Sequence, residues 1–252
     1  MMTIDIATIF PEMVMAVLGE SIIGRAMADG LVDIRCHNIR DYTLDKHGRV
    51  DDYPYGGGMG MVMQPEPIFR CFEAVCAQRG GRPKAVYMSP QGRVLTQQVS
   101  REYAGEGSLF VLCGHYEGVD QRVLDEIVDE EISLGDFVLT GGEIAAMAFV
   151  DSVVRLCPGV LSSEDCFTEE SHWNGLLEYP QYTRPPVWQG REVPPVLLSG
   201  HHANIQRYRR EEALRNTWKK RPDMLQTAPL DGADRAFLEA LEAPGGEWEE
   251  TV

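Results

Sequence analysis

Short apolar runs alternate with segments of helical periodicity over the first two-thirds of the chain. The apolar runs predict strands at Thr3–Phe10, Val32–Cys36, Lys84–Met88, Leu109–Cys113 and Phe137–Leu139. The periodic segments predict helices at Pro11–Leu18, Pro65–Gln78, Val99–Ala104, Gln121–Ile127 and Glu143–Leu156. This alternation indicates an α/β fold with a mostly parallel sheet and helices on both of its faces.

The pattern changes after the last of these helices. Residues 157–195 are rich in Pro, Ser, Glu and Trp and show little periodicity, which is typical of a linker and surface segment. Whether that segment is ordered before a ligand binds stays open. Two further helices are predicted at Asn204–Trp218 and Asp234–Leu241. We therefore expect an α/β domain at residues 1–160, a linker at 161–175 and a small all-helical C-terminal domain at 176–252.

Composition is that of an ordinary globular protein, with 44% hydrophobic and 25% charged residues. No apolar run reaches the roughly 18 residues that span a bilayer. Met1–Phe10 lacks the basic start and long apolar stretch of a signal peptide, so we expect a cytoplasmic protein with no membrane partner. The six cysteines form no C-x-x-C pair and match no zinc pattern, which predicts buried reduced thiols and no metal ligands.

The net charge of −16 argues against a nucleic-acid partner, because an acidic protein repels phosphates at long range. The charge is unevenly distributed, however. Residues 207–221 are mostly basic among their charges, whereas residues 231–252 are mostly acidic. One basic stretch on an acidic body can still steer RNA.

Glycine-containing segments occur at three predicted strand ends: Met88–Gly92, Cys113–Gly118 and Leu139–Glu143, the last of which opens a helix. In open α/β folds ligands bind at the carboxyl ends of the strands, where glycine lets the backbone approach closely. No segment contains a G-x-G-x-x-G fingerprint or a phosphate loop, which disfavours dinucleotide and nucleoside triphosphate chemistry. One such segment alone is an ordinary tight turn. Three at neighbouring strand ends favour a shared small-molecule site.

A fourth glycine cluster lies at Tyr55–Met61, before the helix predicted to begin at Pro65. Its glycines lose much conformational entropy on folding. Two interpretations stay open for this cluster, a flexible loop without a role and a loop that faces a substrate.

Several short stretches, spread in order over nearly the whole chain, match a known protein family. Their combination is specific to that family, although no single stretch is. They are Phe10–Met13, Gly24–Ala26, Val50–Asp52, Pro54–Gly58, Ser89–Gly92, Cys113–Gly114, Tyr116–Gly118, Asp129–Glu131, Gly135–Asp136, Gly141–Glu143, Asp151–Val153, Arg155, Pro158–Leu161, Tyr182–Pro185 and Val193–Gly200. In this combination the sequence resembles the bacterial tRNA (guanine-N1)-methyltransferase family.

The resemblance implies an S-adenosylmethionine-dependent enzyme that methylates N1 of the guanosine immediately 3′ of the anticodon in tRNA. It implies a deep trefoil knot of the SPOUT type at the cofactor site, a rare exception to the rule against threaded chains. It also implies a homodimer with active sites between its subunits, and the use of Mg²⁺.

Site residues follow from the same resemblance, position by position. The implied cofactor-binding residues are Pro90, Gly114, Tyr116, Glu117, Leu134, Gly135, Asp136, Phe137, Val138, Leu139, Gly141 and Gly142. Arg155 matches the catalytic arginine of the family. The family places its base in a T-E-D-S motif, where this chain reads Thr-Glu-Glu-Ser, so Glu170 takes the position of the base. Glu169 and Asp165 stay open as substitutes.

The expected tRNA-binding residues are Tyr55, Gly57, Arg184, Arg207, Arg210, Lys219 and Lys220. A solvated helix face is the alternative for the basic stretch. Two other functions stay open: a non-catalytic RNA-binding relative, which the departure at Glu170 invites, and a ribose 2′-O-methyltransferase of a related knotted fold. A nucleotide-utilising enzyme is weakened by the missing phosphate loops.

Overall fold

A computed structural model of the chain describes residues 1–163 and 165–243. The chain divides into two compact units, Met1–Ser163 and Glu164–Val252. The acidic stretch predicted beyond residue 243 lies outside the described residues. Each unit has a hydrophobic core of its own, and the core of the first is much the larger.

A parallel five-stranded sheet forms the centre of the first unit. Its strands are β1 (Met2–Thr8), β2 (Val32–Asn38), β5 (Lys84–Val94), β6 (Ser108–Cys113) and β7 (Glu130–Ser133). They lie in the order β2-β1-β6-β5-β7, and each neighbouring pair is parallel. A separate antiparallel pair joins β3 (Asp51–Asp52) to β4 (Val62–Met63). The expected mostly parallel α/β sheet is confirmed.

Helices cover both faces of that sheet. They are α1 (Pro11–Leu18), α2 (Ser21–Ala28), α3 (Pro65–Arg79), α4 (Gln97–Ala104), α5 (Gln121–Ile127) and α6 (Glu143–Val154), with a 3-10 turn at Ile39–Tyr42. One core contains buried side chains of α1, α2, α4 and α6, where the rings of Tyr103 and Phe149 pack edge to face. The other contains α3 and α5, where Phe72 packs on Phe110 in the same way.

The second unit contains α7 (Asp165–Thr168), β8 (Val187–Trp188), β9 (Arg191–Glu192), α8 (Pro195–Leu198), α9 (His202–Lys220), a 3-10 turn (Pro222–Gln226) and α10 (Gly232–Glu242). Few apolar side chains are buried among the residues described for this unit: Leu176, Ala213 and Leu214. Polar contacts supplement this core. The Arg210 guanidinium pairs with Asp234, which also completes a capping box at the start of α10.

Three features differ from the sequence-based expectations. Residues 137–139 form no strand, because this apolar run lies exposed in a loop. The fifth strand is instead β7, which the pattern missed because Ile132 is its sole apolar residue. The helix α2 was also missed, since Gly24 weakens its helical signal. The second unit is not all-helical, because β8 and β9 pair in antiparallel fashion.

Candidate active site

A cavity of about 370 Å³ opens where β6 and β7 end and where β5 bulges between Met88 and Arg93. Its walls are residues 89–91 of β5 and two loops, residues 114–118 and 134–142. The predicted cofactor residues that line it are Pro90, Gly114, Tyr116, Glu117, Leu134, Phe137, Val138, Leu139, Gly141 and Gly142. The three glycine segments therefore do meet at one site, although the first lies within β5, which continues to Val94, and the third follows an exposed loop and not a strand.

Gly135 and Asp136 are the two predicted cofactor residues that do not line the cavity. They form a bend between lining residues, and Gly135 is tied to the Ser133 hydroxyl through both its N–H and its carbonyl group. Its φ of 148° lies in the left-handed region that favours glycine. We therefore assign this pair to the shape of the loop.

Close backbone approaches bring the loops together. The end of β5 bulges where its register with β7 shifts, and a Cβ at Gly92 would overlap the backbone of Glu131. The loop 134–142 then returns to the end of β6, where Gly142 N–H donates to the Gly114 carbonyl at 2.8 Å. A Cβ at Gly142 would lie 2.8 Å from Cys113 Cα. These positions exclude any side chain for steric reasons.

A buried hydrogen-bonded group supports the cavity from below. Glu143, which begins α6 and is 2% exposed, accepts from the Thr8 hydroxyl at 2.6 Å and from His115 Nε2 at 2.8 Å. The His115 ring also packs edge to face on Phe10 and Tyr116. The position of an acidic side chain in the first turn of α6 suits the positive end of the helix dipole.

Other lining residues were not predicted as ligand contacts. They include Tyr87, Gln91, His115, Gln121, Ser133 and Thr140. The sequence could have indicated His115, because it lies between Gly114 and Tyr116, two predicted cofactor-binding residues. Tyr87 and Gln121 lie outside the glycine segments and carry no such signal.

Burial keeps two titratable groups at the cavity, Cys113 beside it and Tyr87 in its lining, from acting as nucleophiles. Burial raises the pKa of the Cys113 thiol well above its usual value, with Glu143 adding to the effect. Burial also raises the pKa of Tyr87, again assisted by a neighbouring carboxylate, Glu131. Both groups are therefore protonated at neutral pH, and the cavity is suited to holding a ligand by shape and backbone contacts.

The two predicted catalytic residues lie in different units. Arg155 is the C-cap of α6, and its N–H donates to the Asp151 carbonyl. Glu170 follows α7 and is partly buried. Its neighbour Glu169 accepts from the Tyr179 hydroxyl at 3.3 Å and lies 3.7 Å from Arg209 Nη1. The side chain of Asp165 lies outside the described part of the structure.

The predicted tRNA-binding residues are mostly at the surface. Tyr55 is 99% exposed, and Gly57 has a φ of 82° in the same loop. Arg184, Lys219 and Lys220 are exposed, and Arg207 pairs with Glu211 on the surface of α9. Arg210 differs, because its guanidinium pairs with Asp234 and joins α9 to α10.

The glycine cluster at Tyr55–Met61 adjoins the cavity. Glu117, a lining residue, donates its N–H to the Met61 carbonyl at 2.9 Å. A Cβ at Gly60 would overlap the Glu117 carboxylate. These contacts favour the second of the two interpretations, a loop that faces a substrate.

No group of three or more His, Cys, Asp or Glu side chains in the described ranges could hold a metal ion. Burial raises the pKa of both Cys36 and Cys71 to about 12, which fits inert thiols. None of the described helices combines the length and apolar character that crossing a membrane requires.

The structure has a parallel sheet covered by helices, and its first cavity lies at one edge of that sheet between loops that return to it. This arrangement is typical of α/β proteins that bind small molecules. A sequence model of the tRNA (guanine-1)-methyltransferase family matches residues 2–227. The chain belongs to this family.

Three similar proteins, each named tRNA (guanine-N(1)-)-methyltransferase, illustrate the relationship. One from Ruminiclostridium cellulolyticum is 55% identical over 90% of this chain and 98% of its own length. One from Alkaliphilus oremlandii is 51% identical over 96% and 99%, respectively. One from Moorella thermoacetica is 51% identical over 98% and 99%.

Proposed function

We propose that this protein transfers a methyl group from S-adenosylmethionine to N1 of the guanosine immediately 3′ of the anticodon in tRNA. The observation that carries the proposal is the cavity at the strand ends, walled by glycines that admit no side chain. It occurs in a chain that aligns almost end to end with proteins named for this reaction.

The cavity fits the methyl donor in size and chemistry. Its volume of about 370 Å³ falls in the range of small-molecule sites. Gly114, Gly141 and Gly142 bring the backbone itself to the cavity surface, while Leu134 and Leu139 offer apolar contact. When bound, S-adenosylmethionine supplies a methyl group already activated by its sulfonium. The residues of this chain then need to orient the donor and exclude water.

Proton transfer sets the requirement for a base. Guanine N1 carries a proton that must leave as the methyl group arrives, and a carboxylate within hydrogen-bond reach can accept it. We assign this role to Glu170, because it takes the position that the family motif gives to the base, in the Thr-Glu-Glu-Ser stretch of this chain. Negative charge spreads towards guanine O6, and we assign its stabilisation to the Arg155 guanidinium.

A knot at the cavity is part of the proposal. The chain leaves β7, passes through the loop 134–142 and returns to the end of β6, where Gly142 packs against Cys113. A β5 strand that continues past the bulge to Val94 lies close against β7. Such close crossings support the threaded path that the family resemblance implies.

A homodimer accounts for the exposed apolar side chains of the first unit. Met13 and Val17 on α1 are 42% and 55% exposed, and Ile144 in the first turn of α6 is 48% exposed. The helix α1 packs against α6, so these side chains belong to one region of the unit. Exposed apolar patches of this kind mark protein interfaces.

The reducing cytoplasm is the expected location, since Cys36, Cys71 and Cys113 are free thiols.

Magnesium dependence is proposed from the family resemblance alone. Mg²⁺ keeps several waters and is held by one or two carboxylates together with oxygens of its substrate. A site of this kind would need RNA oxygens to complete it. Methylation assayed with EDTA, and then with Mg²⁺ restored, tests the requirement.

The decisive experiment is methylation of an unmodified tRNA transcript with S-adenosylmethionine, followed by nuclease digestion and mass spectrometry. We expect N1-methylguanosine at the position 3′ of the anticodon. A 2′-O-methylated nucleoside would instead identify the ribose methyltransferase. Tight tRNA binding without any methylated product would identify a non-catalytic relative.

A further inference from the structure

A second cavity, of about 550 Å³, lies within the second unit between the segment 179–198 and the helix α9. We propose that it binds one unpaired nucleobase of the RNA substrate, outside the methylation site. The inference rests on the proposed function for the identity of the RNA. It adds a recognition site for a base other than the one that is methylated.

Aromatic and aliphatic side chains form the walls of this cavity. Tyr179 and Tyr182 lie on one segment, and Leu197 and Ile205 belong to the helical region opposite. Tyr182 is 47% exposed and Leu198 is 64% exposed, so the cavity opens to solvent through apolar surface. A flat ring flanked by apolar side chains is the surface on which an unstacked base lies.

Two guanidinium groups supply the polar part of the site. The Arg209 guanidinium lies 4.8 Å from the centre of the Tyr179 ring, so a stacked pair is already formed. Its Nε is buried and has no hydrogen-bond partner among the described residues. Its Nη1 lies 3.7 Å from Glu169, which is a loose contact. Arg184 lines the same cavity and is exposed. Guanidinium groups donate to both base edges and phosphates.

The combination selects a nucleobase over other occupants. An apolar peptide would pack on the tyrosine and leucine side chains but would bring no anionic group for Arg184 and Arg209. A free phosphate would engage Arg184 and Arg209 but would not use the aromatic wall. A base with its attached phosphate matches both, because its face stacks on tyrosine and its acceptors face the arginines.

The expected consequence is anchoring of the RNA without any contact with the methyl donor. Tyr182→Leu keeps apolar volume and removes the aromatic face, and Tyr182→Phe keeps the face. Trp188→Leu is the matched control, since Trp188 is an exposed aromatic residue of the same unit outside the cavity. Arg209→Gln is compared with Arg235→Gln, since Arg235 lies on α10 and does not line the cavity.

The test measures the Kd of unmodified tRNA by fluorescence anisotropy and the Kd of S-adenosylmethionine by calorimetry. We expect Tyr182→Leu and Arg209→Gln to weaken tRNA binding about tenfold, the scale of one base–aromatic stack. Tyr182→Phe, both controls and all values for the methyl donor should match the unaltered protein. Equal tRNA affinities for Tyr182→Leu and Trp188→Leu would overturn the inference.

A set of tRNA transcripts, each abasic at one anticodon-loop position, identifies the base. One abasic tRNA, whose missing base is not the methylated guanosine, should bind the unaltered protein about tenfold more weakly than intact tRNA does. The same abasic tRNA and intact tRNA should bind Tyr182→Leu with equal affinity. Such non-additivity is the signature of a direct contact. If every transcript loses the same factor with both proteins, the site does not exist. Methylation with no such coupling contradicts this inference alone, whereas coupling without methylation contradicts the proposed function alone.

Discussion

His115 and Glu143 meet beneath the first cavity, where His115 Nε2 lies 2.8 Å from a Glu143 carboxylate that is 2% exposed. Thr8 completes the group from the end of β1. A buried carboxylate is tolerated only when donors surround it. The three residues therefore fix the start of α6 against the ends of β1 and β6, which shapes the floor of the cavity.

Removing the Thr8 hydroxyl should lower the free energy of unfolding of the protein. Thr8→Val keeps the volume but leaves Glu143 Oε1 without its donor and the Phe10 N–H without its acceptor. We expect a loss of about 1–3 kcal/mol in the free energy of unfolding, measured by urea denaturation. Thr43→Val is the control, because the Thr43 hydroxyl likewise donates to one group, the Arg49 carbonyl, and accepts from one backbone N–H, that of Asp45, but its donated bond is exposed. Equal losses in both variants would show that the buried bond contributes nothing special.

A methyl group at Gly142 should damage the cofactor cavity. The added Cβ would approach the backbone of Cys113 and Gly114, which cannot rotate away. Because overpacking of this kind costs about 1–3 kcal/mol, Gly142→Ala should weaken binding of S-adenosylmethionine roughly tenfold in a calorimetric titration. Gly81→Ala is the matched control, since its added Cβ meets nothing within 4 Å. Unchanged affinity for Gly142→Ala would remove the donor from this cavity.

The choice between two neighbouring carboxylates can be settled kinetically. Glu170→Gln should slow single-turnover methylation of tRNA about 10²–10⁴-fold, the usual contribution of a general base. Glu169→Gln serves as the comparison, because Glu169 is bound to Tyr179 and lies near Arg209. Its effect on the rate should be small. Equal, small losses in the two variants would exclude Glu170 from the role.

A buried ion-pair network should make the stability of the first unit sensitive to acid. Burial raises the pKa of Asp5, but hydrogen bonds from His37 and Arg79 and the charge of Arg79 outweigh it, so the pKa lies below its usual 3.8. A lowered pKa means stabilisation that is present above about pH 4 and lost as the pH falls through the folded-state pKa.

Asp5→Asn tests this network. Removing one partner of a buried pair costs about 3–5 kcal/mol, so the variant should lose about that much in urea unfolding at neutral pH. The gap between the variant and the unaltered protein should narrow below about pH 4. Asp223→Asn removes an exposed ion pair with Arg221 and should leave stability unchanged. A gap that is independent of pH would contradict the assignment.

The basic end of α9 should account for part of the salt dependence of RNA binding. Lys219→Ala combined with Lys220→Ala should weaken tRNA binding and flatten the plot of log K against log salt by about 0.7–0.9 for each phosphate that is no longer neutralised. Lys46→Ala with Arg70→Ala removes the same charge from the other unit. If both double variants change the slope equally, the effect arises from net charge and not from a direct interaction of α9 with phosphates.

Local pattern was sufficient for the elements that carry strong signals. The predicted bounds of α1 and α5 agree with the structure, and β2, β5 and β6 begin within one residue of their predicted starts. β7 was missed because Glu130 and Glu131 make its sequence too polar to predict a strand. In the fold, Glu130 accepts a hydrogen bond from the Tyr103 hydroxyl. Tertiary contacts overrode the local signal there.

The sequence predicted those parts of the site that come from continuous segments of the chain. Glycine segments could be placed at strand ends, but the closure of the loop 134–142 on β6 depends on backbone contacts that spacing does not encode. The Thr8–Glu143 hydrogen bond joins residues 135 positions apart, which no periodicity could reveal. The cavity around Tyr182 was equally hidden, because its lining comes from an aperiodic segment and a helix face.

The small core of the second unit has a thermal consequence. Among its described residues only Leu176, Ala213 and Leu214 are buried apolar side chains, so this unit has far less buried surface to oppose its chain entropy than the first. On warming it should melt first, as a separate cooperative step. Between the two transitions the molecule would keep the cavity at its strand ends while losing the one around Tyr182, so heat would separate ligand capture from RNA recognition.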